Sequence, residues 1–483
     1  MNAAAFTSTQ HIVVLMLENR SFDHMLGFLY SAQGNKSPNG QPFEGLTGEE
    51  TNPDSQGNPV AVFKIAATDQ NAYFMPGADP GEGYAATNLQ LFGTATVAPG
   101  QQASNGGFVQ DFAQTLEWEA SKDWSILPGT VARNIMGVFT PAMLPVLSGL
   151  ATGYAVCDHW YASVPTETMP NRAFACAATS QGHMDDVAKT FTCPSIFGRL
   201  TDAGLNWVIY GYDTPPLTRH NFPDVTEAPE SHFGLFGDFQ AAARAGSLPP
   251  FSFLEPSWSP TGNSQHPNYD VALGEQLIYD VYQAVSTGPK WNQTLLIITY
   301  DEHGGCYDHV TPPAGAVAPD KLAGEFGFEF TRFGVRVPTV LVSPWIEKGT
   351  LFRVPGNGTP FDHTSILKTV EVLWNVPPLT ARDAAAPDIS AVFTSTQPRT
   401  DNPLTGVTVP TSGTTFPGGD GPSHLQMIHA ELVSRLPVAD SQGHMHSPMA
   451  ELKTSDDYDD YIRTRTAAWQ AQRQRENAPA AKP

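Results

Sequence analysis

Cysteine is scarce in this sequence, with four residues in a chain of 483. None of the four belongs to a CxxC pair, which argues against a zinc knuckle. Cys176 and Cys193 could be joined by a disulfide if the protein were exported, and the sequence leaves this open. The cysteines therefore leave the redox compartment undecided.

Basic residues are also few: 26 Lys and Arg face 48 Asp and Glu, and the formal net charge is −22. Binding to nucleic acid depends on neutralising phosphates, and docking to anionic lipid depends on basic patches, so this balance argues against both. No hydrophobic run is long enough to span a bilayer. We therefore expect no nucleic-acid partner and at most a transient contact with a membrane surface.

A signal peptide is missing from the N-terminal segment. The first ten residues, "MNAAAFTSTQ", have neither the basic region nor the apolar region that such a peptide needs. Either the protein stays in the cytoplasm, or a leader has been trimmed from it. The oligomeric state is equally open.

Apolar runs alternate with helical patterns along most of the chain. Runs typical of buried strands cover residues 11–17, 154–163, 206–213, 294–302 and 337–345, and helical patterns cover 140–151, 274–285, 364–374, 423–436 and 459–475. This alternation predicts an α/β fold with three layers, in which a mostly parallel central sheet lies between helices. The 42 Gly and 42 Pro predict long loop insertions. Residues 385–422 are expected to form small strands or an extended connection.

Two units are predicted along the chain. Residues 1–440 are expected to form the main domain, and residues 441–483 a C-terminal helical extension with a frayed tail, which packs on that domain or trails from it.

Polar residues follow three of the predicted strands. The stretch "LENRSFDHMLG" (17–27) places Glu18 and Asn19 directly after the first strand, and "TYDEHGGCYDHV" (299–310) places Asp301 and Glu302 after another. In "SVPTETMPNRAFACAATSQGH" (163–183), a strand enters a loop and then a helix, with Thr168 near the N-cap. Ligands of parallel sheets bind beyond the carboxyl ends of the strands, so we consider these three clusters together as parts of one possible site.

Each cluster alone has a simpler explanation as a helix cap, a surface turn or a capping hydroxyl. Together they supply three carboxylates, an amide oxygen and a hydroxyl, which is the donor set that a hard divalent cation prefers. A bound cation would also explain the crowding of acids, which would otherwise repel one another and take up protons. The sequence therefore predicts one divalent metal, with Ca²⁺ preferred and Mg²⁺, Mn²⁺ or Zn²⁺ as alternatives.

The same residues suggest a reaction. A threonine hydroxyl is a poor nucleophile unless a metal or a base lowers its pKa. At a helix N-terminus it also faces free N–H groups, which suit a phosphate. Attack by Thr168 on phosphorus would form a phosphothreonine that water then hydrolyses, with histidines stabilising oxygens and protonating the leaving group.

Four segments resemble one family. "HIVVLMLENRSFDHMLG" (11–27), "CDHWYASVPTETMPNR" (157–172), "TYDEHGGCYDHV" (299–310) and "FDHTSILKTVEVLW" (361–374) are similar to the phosphoesterase family of bacterial and plant non-specific phospholipases C and a secreted acid phosphatase. The resemblance spans roughly residues 10–385. It implies an alkaline-phosphatase-like fold and, for residues 1–440, a phosphoesterase catalytic domain.

The resemblance also implies roles for individual residues. It makes Thr168 the nucleophile and a metal ligand, with Thr166 as the fallback. The other implied roles are metal binding by Glu18, Asn19, Asp301 and Glu302; catalysis by His266 and His363; and substrate binding by Asn171, Arg172, His232 and His303. Of these, His232 is the weaker candidate because its alignment needs a gap, and His303 is either a substrate contact or structural.

One position departs from the family pattern. In "ADPGEGYAATNLQLFG" (78–93), Glu82 stands where the family has a histidine. A histidine there could donate a hydrogen bond to a phosphate oxygen, whereas an ionised carboxylate repels phosphate. Glu82 either points into solvent, or changes the substrate preference, or accepts a bond from a polyol or ammonium group.

The resulting hypothesis is a metal-dependent phosphoric ester hydrolase of phospholipase C type that acts on a small phosphoester or a phospholipid. A broad-specificity acid phosphatase is the alternative, and a non-catalytic binding module on the same fold is a more distant one. A phospholipase needs an apolar rim, for which the aromatic segments 71–77, 89–93 and 231–237 are candidates. The resemblance predicts a secreted or periplasmic location.

Overall fold

The structure is a computed structural model that describes residues 2–122, 126–356, 358–438 and 449–476. Its strands are β1 His11–Leu17, β2 Thr51–Pro53, β3 Pro59–Ala61, β4 Phe63–Lys64, β5 Gly137–Val138, β6 Ala155–Val156, β7 Trp160–Tyr161, β8 Trp207–Gly211, β9 Phe233–Leu235, β10 Phe251–Leu254, β11 Thr294–Tyr300, β12 Thr339–Val342, β13 Thr350–Leu351 and β14 Phe361–Asp362.

The α-helices lie between and after these strands. They are α1 Ala3–Thr7, α2 Phe22–Leu26, α3 Tyr84–Phe92, α4 Phe108–Ala120, α5 Pro145–Gly153, α6 Thr168–Ala177, α7 Ile196–Asp202, α8 Pro223–Thr226, α9 Phe236–Ala245, α10 Val271–Ser286, α11 Thr364–Trp374, α12 Ala381–Ala385, α13 His424–Ser434 and α14 Ser455–Glu476.

The central sheet has the strand order β13-β6-β12-β11-β1-β10-β8-β9. Strand β1 pairs in parallel with both β10 and β11, and β8 pairs in parallel with β9 and β10. Strand β12 is antiparallel to both of its neighbours, while β13 is parallel to β6. Every strand of this sheet except β12 therefore runs in one direction, and the prediction of a mostly parallel sheet is confirmed.

Strands β1 and β11 form the middle of the sheet because both are apolar along their whole length. Their sequences, "HIVVLML" and "TLLIITY", are buried at every position, as expected for strands covered on both faces. Their pairing runs from His11 opposite Thr294 to Leu17 opposite Tyr300. The two strands consequently end side by side.

Two groups of helices cover the sheet. One group joins α5, α10 and α9, and it contacts β6, β12, β11 and β8. The other joins α12, α11, α6 and α7, of which α7 contacts β8. The predicted three-layer arrangement is therefore confirmed.

The predicted elements match the structure closely in the core and less well outside it. The run 11–17 is β1 and the pattern 364–374 is α11, whereas 154–163 contains two short strands, β6 and β7, instead of one. Strand β10 was not predicted, because its four residues "FSFL" lie between prolines and lack a long apolar run. Residues 385–422 contain no strand and form an extended connection with one short 3-10 turn.

Helices α13 and α14 pack against each other at the end of the chain. Their shared core includes Val433, Leu436, Ile462 and Trp469. The predicted boundary between residues 440 and 441 lies outside the described residues, as do residues 477–483 of the predicted tail. The division into two units stays a prediction.

Two buried histidines lie where these helices meet the main body. His220 and His429 are buried, their ring centroids are 5.9 Å apart, and none of their four ring nitrogens has a hydrogen-bond partner among the described residues. Burial lowers the pKa of His429 to about 3. Protonation of either ring would place an unpaired charge in this interface.

Acidification is expected to destabilise the protein through these histidines. Because the folded-state pKa of His429 lies below its ordinary value of 6.5, the unfolded chain binds the proton first, and stability falls as the pH drops from 6.5 toward 3. Between pH 7 and pH 5 this one group accounts for a loss of about 2 kcal/mol. Denaturant unfolding of wild type and His429→Leu at both pH values measures the difference, and equal losses in the two proteins would contradict it.

Candidate active site

The ends of β1 and β11 bring the two predicted acidic clusters together. The Asn19 backbone N–H donates to Asp301 Oδ1 over 3.0 Å, and the Glu302 N–H donates to the same oxygen over 2.9 Å. Glu18, Asn19, Asp301 and Glu302 are all buried. The side chains that follow β1 and β11 thus lie together at the carboxyl edge of the sheet.

A close backbone approach at the glycine turn holds this arrangement. Gly304 has a φ of +60°, and a Cβ at that position would lie 1.9 Å from the Asn19 carbonyl oxygen. Asn19 itself has a φ of +55°, a conformation that asparagine tolerates better than most residues. Only glycine fits at 304, which explains the Gly-Gly pair after Glu302 and His303.

Thr168 is the first residue of α6, and Glu167 occupies the N-cap. The Thr168 hydroxyl donates to Asn19 Oδ1 over 3.1 Å. The Asn171 side chain fixes the preceding loop, since its amide nitrogen donates to the carbonyls of Thr166 and Glu167 over 2.9 and 3.0 Å. Asn171 therefore positions Thr168 in this structure, although it was predicted to bind substrate.

Arg172 ties α6 to the acidic cluster. Its Nε donates to Asp301 Oδ2 over 2.8 Å, and its Nη2 donates to the carbonyls of Met16 and Leu17, both over 3.2 Å. The guanidinium lies 4.7 Å from the ring centroid of Trp258. Its Nη1 is buried and has no hydrogen-bond partner among the described residues.

Arg172 alone cannot balance the carboxyl groups that follow β1 and β11 if all of them are ionised. Burial, and then the nearby Asp301 carboxylate, raise the pKa of Glu18 to about 8 and that of Glu302 well above its usual range. Glu302 Oε1 is buried without a partner in the described part of the chain. Oxygen donors of this kind are those that a hard divalent cation prefers. The ligand atoms of Asp79, Glu82 and His266 lie within 4.8 Å of one another, whereas those of Glu18, Asp301 and Glu302 are not gathered that closely in this structure.

His266 lies beside two further carboxylates. Its Nε2 is 3.8 Å from Asp79 Oδ1 and 3.6 Å from Glu82 Oε1, and its Nδ1 is 3.0 Å from the Pro267 carbonyl oxygen. Burial lowers the pKa of His266 to about 3, so the ring is neutral. Because a carbonyl only accepts, Nδ1 carries the proton and Nε2 presents a lone pair.

Glu82 points toward the site and not into solvent. Its Oε1 accepts a hydrogen bond of 2.7 Å from Asn19 Nδ2. The carboxylate at the position where the family has a histidine therefore lies beside a candidate metal ligand. Asp79 was not predicted, although it stands three residues before Glu82 in the segment that signalled the departure.

The other two buried histidines of the site are held by protein groups. His363 Nε2 donates to the Asp301 carbonyl over 2.6 Å, and Trp160 Nε1 donates to its Nδ1 over 3.4 Å. His303 lies between Gln90 Oε1, 2.7 Å from its Nε2, and Glu302 Oε2, 3.1 Å from its Nδ1. Both therefore line the acidic cluster, with their ring nitrogens engaged by the protein.

His232 is not brought to the site. Its Nδ1 lies 2.7 Å from the Trp207 carbonyl, and its ring stacks on the Trp207 indole with centroids 4.1 Å apart. Trp207 begins β8, so this histidine lies at the amino end of the sheet, opposite the acidic cluster. The gap in its alignment already marked it as the weaker candidate.

The aromatic segments considered for an apolar rim are mostly core. Phe74 and Leu91 are buried, and Leu235 is the one large apolar side chain of the third segment that is exposed. Those segments stabilise the insertions and do not form an apolar rim around the site.

Similarity to known proteins agrees with this geometry. The chain matches the Phosphoesterase family over residues 9–377. The chain belongs to this family. It is therefore a phosphoric ester hydrolase, and the prediction from the four motifs is confirmed.

Non-specific phospholipase C1 of Arabidopsis thaliana is 40% identical over 413 residues, covering 81% of this chain and 72% of that protein. Non-specific phospholipase C6 of the same plant is 38% identical, covering 82% and 74%.

Among solved structures, the phosphoesterase is similar to a protein in the alkaline phosphatase superfamily from Vibrio parahaemolyticus. The identity is 12%, the TM-score is 0.31, and the match covers 51% of this chain and 64% of that one. A search of the described residues for membrane-spanning helices, by length and apolar character, found none. All four cysteines are free.

Removal of Arg172 is expected to destabilise the fold, because Asp301 would remain buried without its charged partner. Arg172→Met should lower the free energy of unfolding by about 3–5 kcal/mol. Arg435→Met is the control: it removes an exposed pair with Glu431 and one hydrogen bond to the Ala188 carbonyl, and should cost about 1–2 kcal/mol. Denaturant unfolding compares the two variants, and similar losses would show that the Asp301 pair is not special.

Proposed function

We propose that this phosphoesterase depends on a divalent cation and cleaves phospholipase C type substrates through a phosphothreonine on Thr168. The observation that carries the proposal is the contact of the Thr168 hydroxyl with Asn19 Oδ1 over 3.1 Å, while Asn19 is itself fixed to Asp301. A hydroxyl at the start of a ten-residue helix, beside buried carboxylates, has the surroundings that a phosphoryl-accepting nucleophile needs.

Five residues would hold the cation: Glu18, Asn19, Thr168, Asp301 and Glu302. When bound, the cation would lower the pKa of the Thr168 hydroxyl and stabilise negative charge on phosphate oxygens. Burial and then the Asp301 carboxylate raise the pKa of Glu18, and the Arg172 guanidinium offsets this only in part, so a bound cation would stabilise the ionised carboxylate. All donors are oxygens, which favours Ca²⁺, Mg²⁺ or Mn²⁺ over a nitrogen- and sulfur-seeking ion.

The chain's own groups support two displacement steps. In the first, Thr168 Oγ1 bonds to phosphorus while the ester bond on the opposite side breaks, and the proton that Thr168 Oγ1 loses passes through water to the leaving alkoxide. In the second, water attacks the phosphothreonine and the Thr168–phosphorus bond breaks, while the water's proton passes by way of His266 Nε2 to Thr168 Oγ1. Arg172 Nη1 is the donor available to an equatorial phosphate oxygen.

The names of the similar proteins favour phospholipids over monoesters as substrates, since both plant relatives are named as phospholipases C. Contact with a lipid surface would fall to exposed apolar side chains. Leu322 is 54% exposed and Phe326 is 70% exposed on one loop. Two such side chains suffice only for a transient contact.

Replacement of the nucleophile should abolish hydrolysis. For Thr168→Ala we expect kcat on p-nitrophenyl phosphocholine to fall on the order of 10⁴-fold. Thr166→Ala is the matched control, because the Thr166 hydroxyl donates to the Met184 carbonyl over 2.7 Å and is not directed at the acidic cluster.

Equal rates in Thr168→Ala and wild type would refute the nucleophile, and loss in Thr166→Ala alone would move the role to that residue. A parallel assay with p-nitrophenyl phosphate separates the substrate classes. Faster turnover of that monoester would favour the acid phosphatase alternative.

Cation removal should lower both stability and activity. A ligand at 100 times its Kd stabilises the folded state by about 2.7 kcal/mol, so a chelator should reduce Tm, and added Ca²⁺ should restore it. Glu302→Gln should lose this response, whereas Glu431→Gln, on the exposed face of α13, should keep it. Thermal unfolding with and without chelator tests this, and an unchanged wild-type Tm and rate would exclude cation dependence.

The secreted or periplasmic location stays a prediction from the family resemblance. The four free cysteines are compatible with either an oxidising or a reducing compartment.

A further inference from the structure

Arg20 is a buried arginine to which the proposed reaction gives no role. It follows Asn19 directly, and its side chain is completely buried. Fully buried arginines are rare unless a carboxylate pairs with them, yet within the described part of the chain no carboxylate accepts a hydrogen bond from Arg20. Its place beside the proposed metal ligands therefore needs another explanation.

The guanidinium of Arg20 binds the backbone of a turn instead. Its Nε donates to the Gln265 carbonyl over 2.6 Å, and its Nη2 donates to the His266 carbonyl over 2.9 Å. Its Nη1 donates to the Met75 carbonyl over 2.6 Å. Because the donors of a guanidinium lie in one rigid plane, Arg20 fixes two consecutive carbonyls of the turn relative to each other. All three nitrogens are engaged inside the protein, so Arg20 does not contact substrate.

The turn of residues 264–269 has a backbone conformation that its own sequence disfavours. Gln265 and Asn268 have φ values of +68° and +65°, which are uncommon for residues other than glycine. Such a backbone persists only where its surroundings hold it in place. The Tyr300 hydroxyl supplies a second support, because it donates to Gln265 Oε1. The turn is thus held by both Arg20 and Tyr300.

The direction of the His266 ring depends on this backbone. Its Nδ1 lies 3.0 Å from the carbonyl oxygen of Pro267, and its ring packs against Tyr269 with centroids 4.9 Å apart. Both partners belong to the turn itself. A change in the backbone of the turn would therefore move His266 Nε2 away from Glu82 Oε1, which lies 3.6 Å from it.

We propose that Arg20 is a positioning residue for the hydrolysis of the phosphothreonine: by fixing the 264–269 turn, it keeps His266 Nε2 where the proton of the attacking water passes. This inference rests on the proposed function, which gives His266 that role in the second displacement and none in the first. Loss of the Arg20 donors should consequently slow the second step much more than the first. An arginine that only stabilised the fold would affect both steps alike.

Arg20→Lys keeps the positive charge but lacks the planar set of donors, so it tests the proposal directly. With p-nitrophenyl phosphocholine in saturating Ca²⁺, the first step releases p-nitrophenol and leaves phosphocholine bound to Thr168, and the second step releases phosphocholine. We expect kcat and KM to fall together, each about 100-fold, because only the second step slows. Stopped-flow absorbance should show a burst of about one p-nitrophenol per chain, and mass spectrometry after an acid quench should show the phosphocholine-bearing chain.

His266→Ala is the reference variant, and it should show the same burst. If Arg20 acts through His266, the double variant Arg20→Lys/His266→Ala should be no slower than His266→Ala alone. Additive losses of kcat, or a loss of kcat/KM as large as the loss of kcat, would overturn the proposal. Turnover of Arg20→Lys at the wild-type rate would also overturn it.

The control variant is Arg465→Lys. Arg465 is also buried, and its guanidinium donates to the carbonyls of Val433, Leu436 and Val438 between α13 and α14, away from the site. The substitution should lower Tm and leave kcat and KM unchanged, without a burst.

Tyr300→Phe decides the question if Arg20→Lys does not fold. It removes the hydroxyl that supports Gln265 and leaves the buried ring in place. We expect the same burst with a smaller loss of kcat, about tenfold, which is the factor that one hydrogen bond of ordinary strength is worth. Wild-type kinetics in this variant would contradict the proposed role of the turn.

The same measurements report on the proposed function separately. If His266→Ala accumulates the phosphocholine-bearing chain and Arg20→Lys does not, the positioning role is wrong and the reaction stands. If neither the wild type nor any variant carries phosphocholine on Thr168, the proposed reaction is wrong. The comparison of kcat in the single and double variants then still decides whether Arg20 acts through His266.

Discussion

The buried carboxylate of Asp301 organises the whole site. It accepts hydrogen bonds from the backbone of Asn19 and Glu302 and from the Arg172 guanidinium. These partners come from the end of β1, the end of β11 and the first turns of α6, which are far apart in the sequence. Because one carboxylate holds all three segments, the amide oxygen of Asn19 is fixed beside the Thr168 hydroxyl.

Two acidic clusters differ in whether the protein itself supplies a positive partner for the buried carboxylates. Asp23 and Asp308 are buried but share Arg336, whose nitrogens lie 2.9 and 3.0 Å from them. Arg336 balances one of these two charges, and His309, whose Nδ1 lies 2.6 Å from Asp23 Oδ2, balances the other when it is protonated. Glu18, Glu302 and Glu119 form no ion pair with a lysine or arginine among the described residues, and burial raises the pKa of each. The proposed cation would balance the two of them that follow β1 and β11.

The histidines have different roles because their ring nitrogens have different partners. His363 bridges Trp160 and the Asp301 carbonyl, which leaves neither nitrogen for substrate. His266 uses only Nδ1 within the backbone and keeps Nε2 directed toward Asp79 and Glu82. His266 can therefore accept a proton at Nε2, whereas both ring nitrogens of His363 are already engaged by the protein.

The sequence by itself determined the parallel sheet and the meeting of the acidic clusters. Long apolar runs such as 11–17 form central strands, and neighbouring parallel strands end at the same edge of the sheet irrespective of how the loops fold. The positions of Thr168 and Asp301 at those ends were predictable for the same reason. Tertiary structure alone decided that His232 lies at the opposite end of the sheet and that Glu82 turns inward.

Tertiary structure also brought Glu119 and Glu167 to the wall of one cavity beside the start of α6. Glu119 lies on α4, and the sequence pattern of that helix shows only which of its faces is apolar. Glu167 lies at the N-cap of α6. Where such segments dock depends on packing between distant parts of the chain, which periodicity and local spacing do not encode.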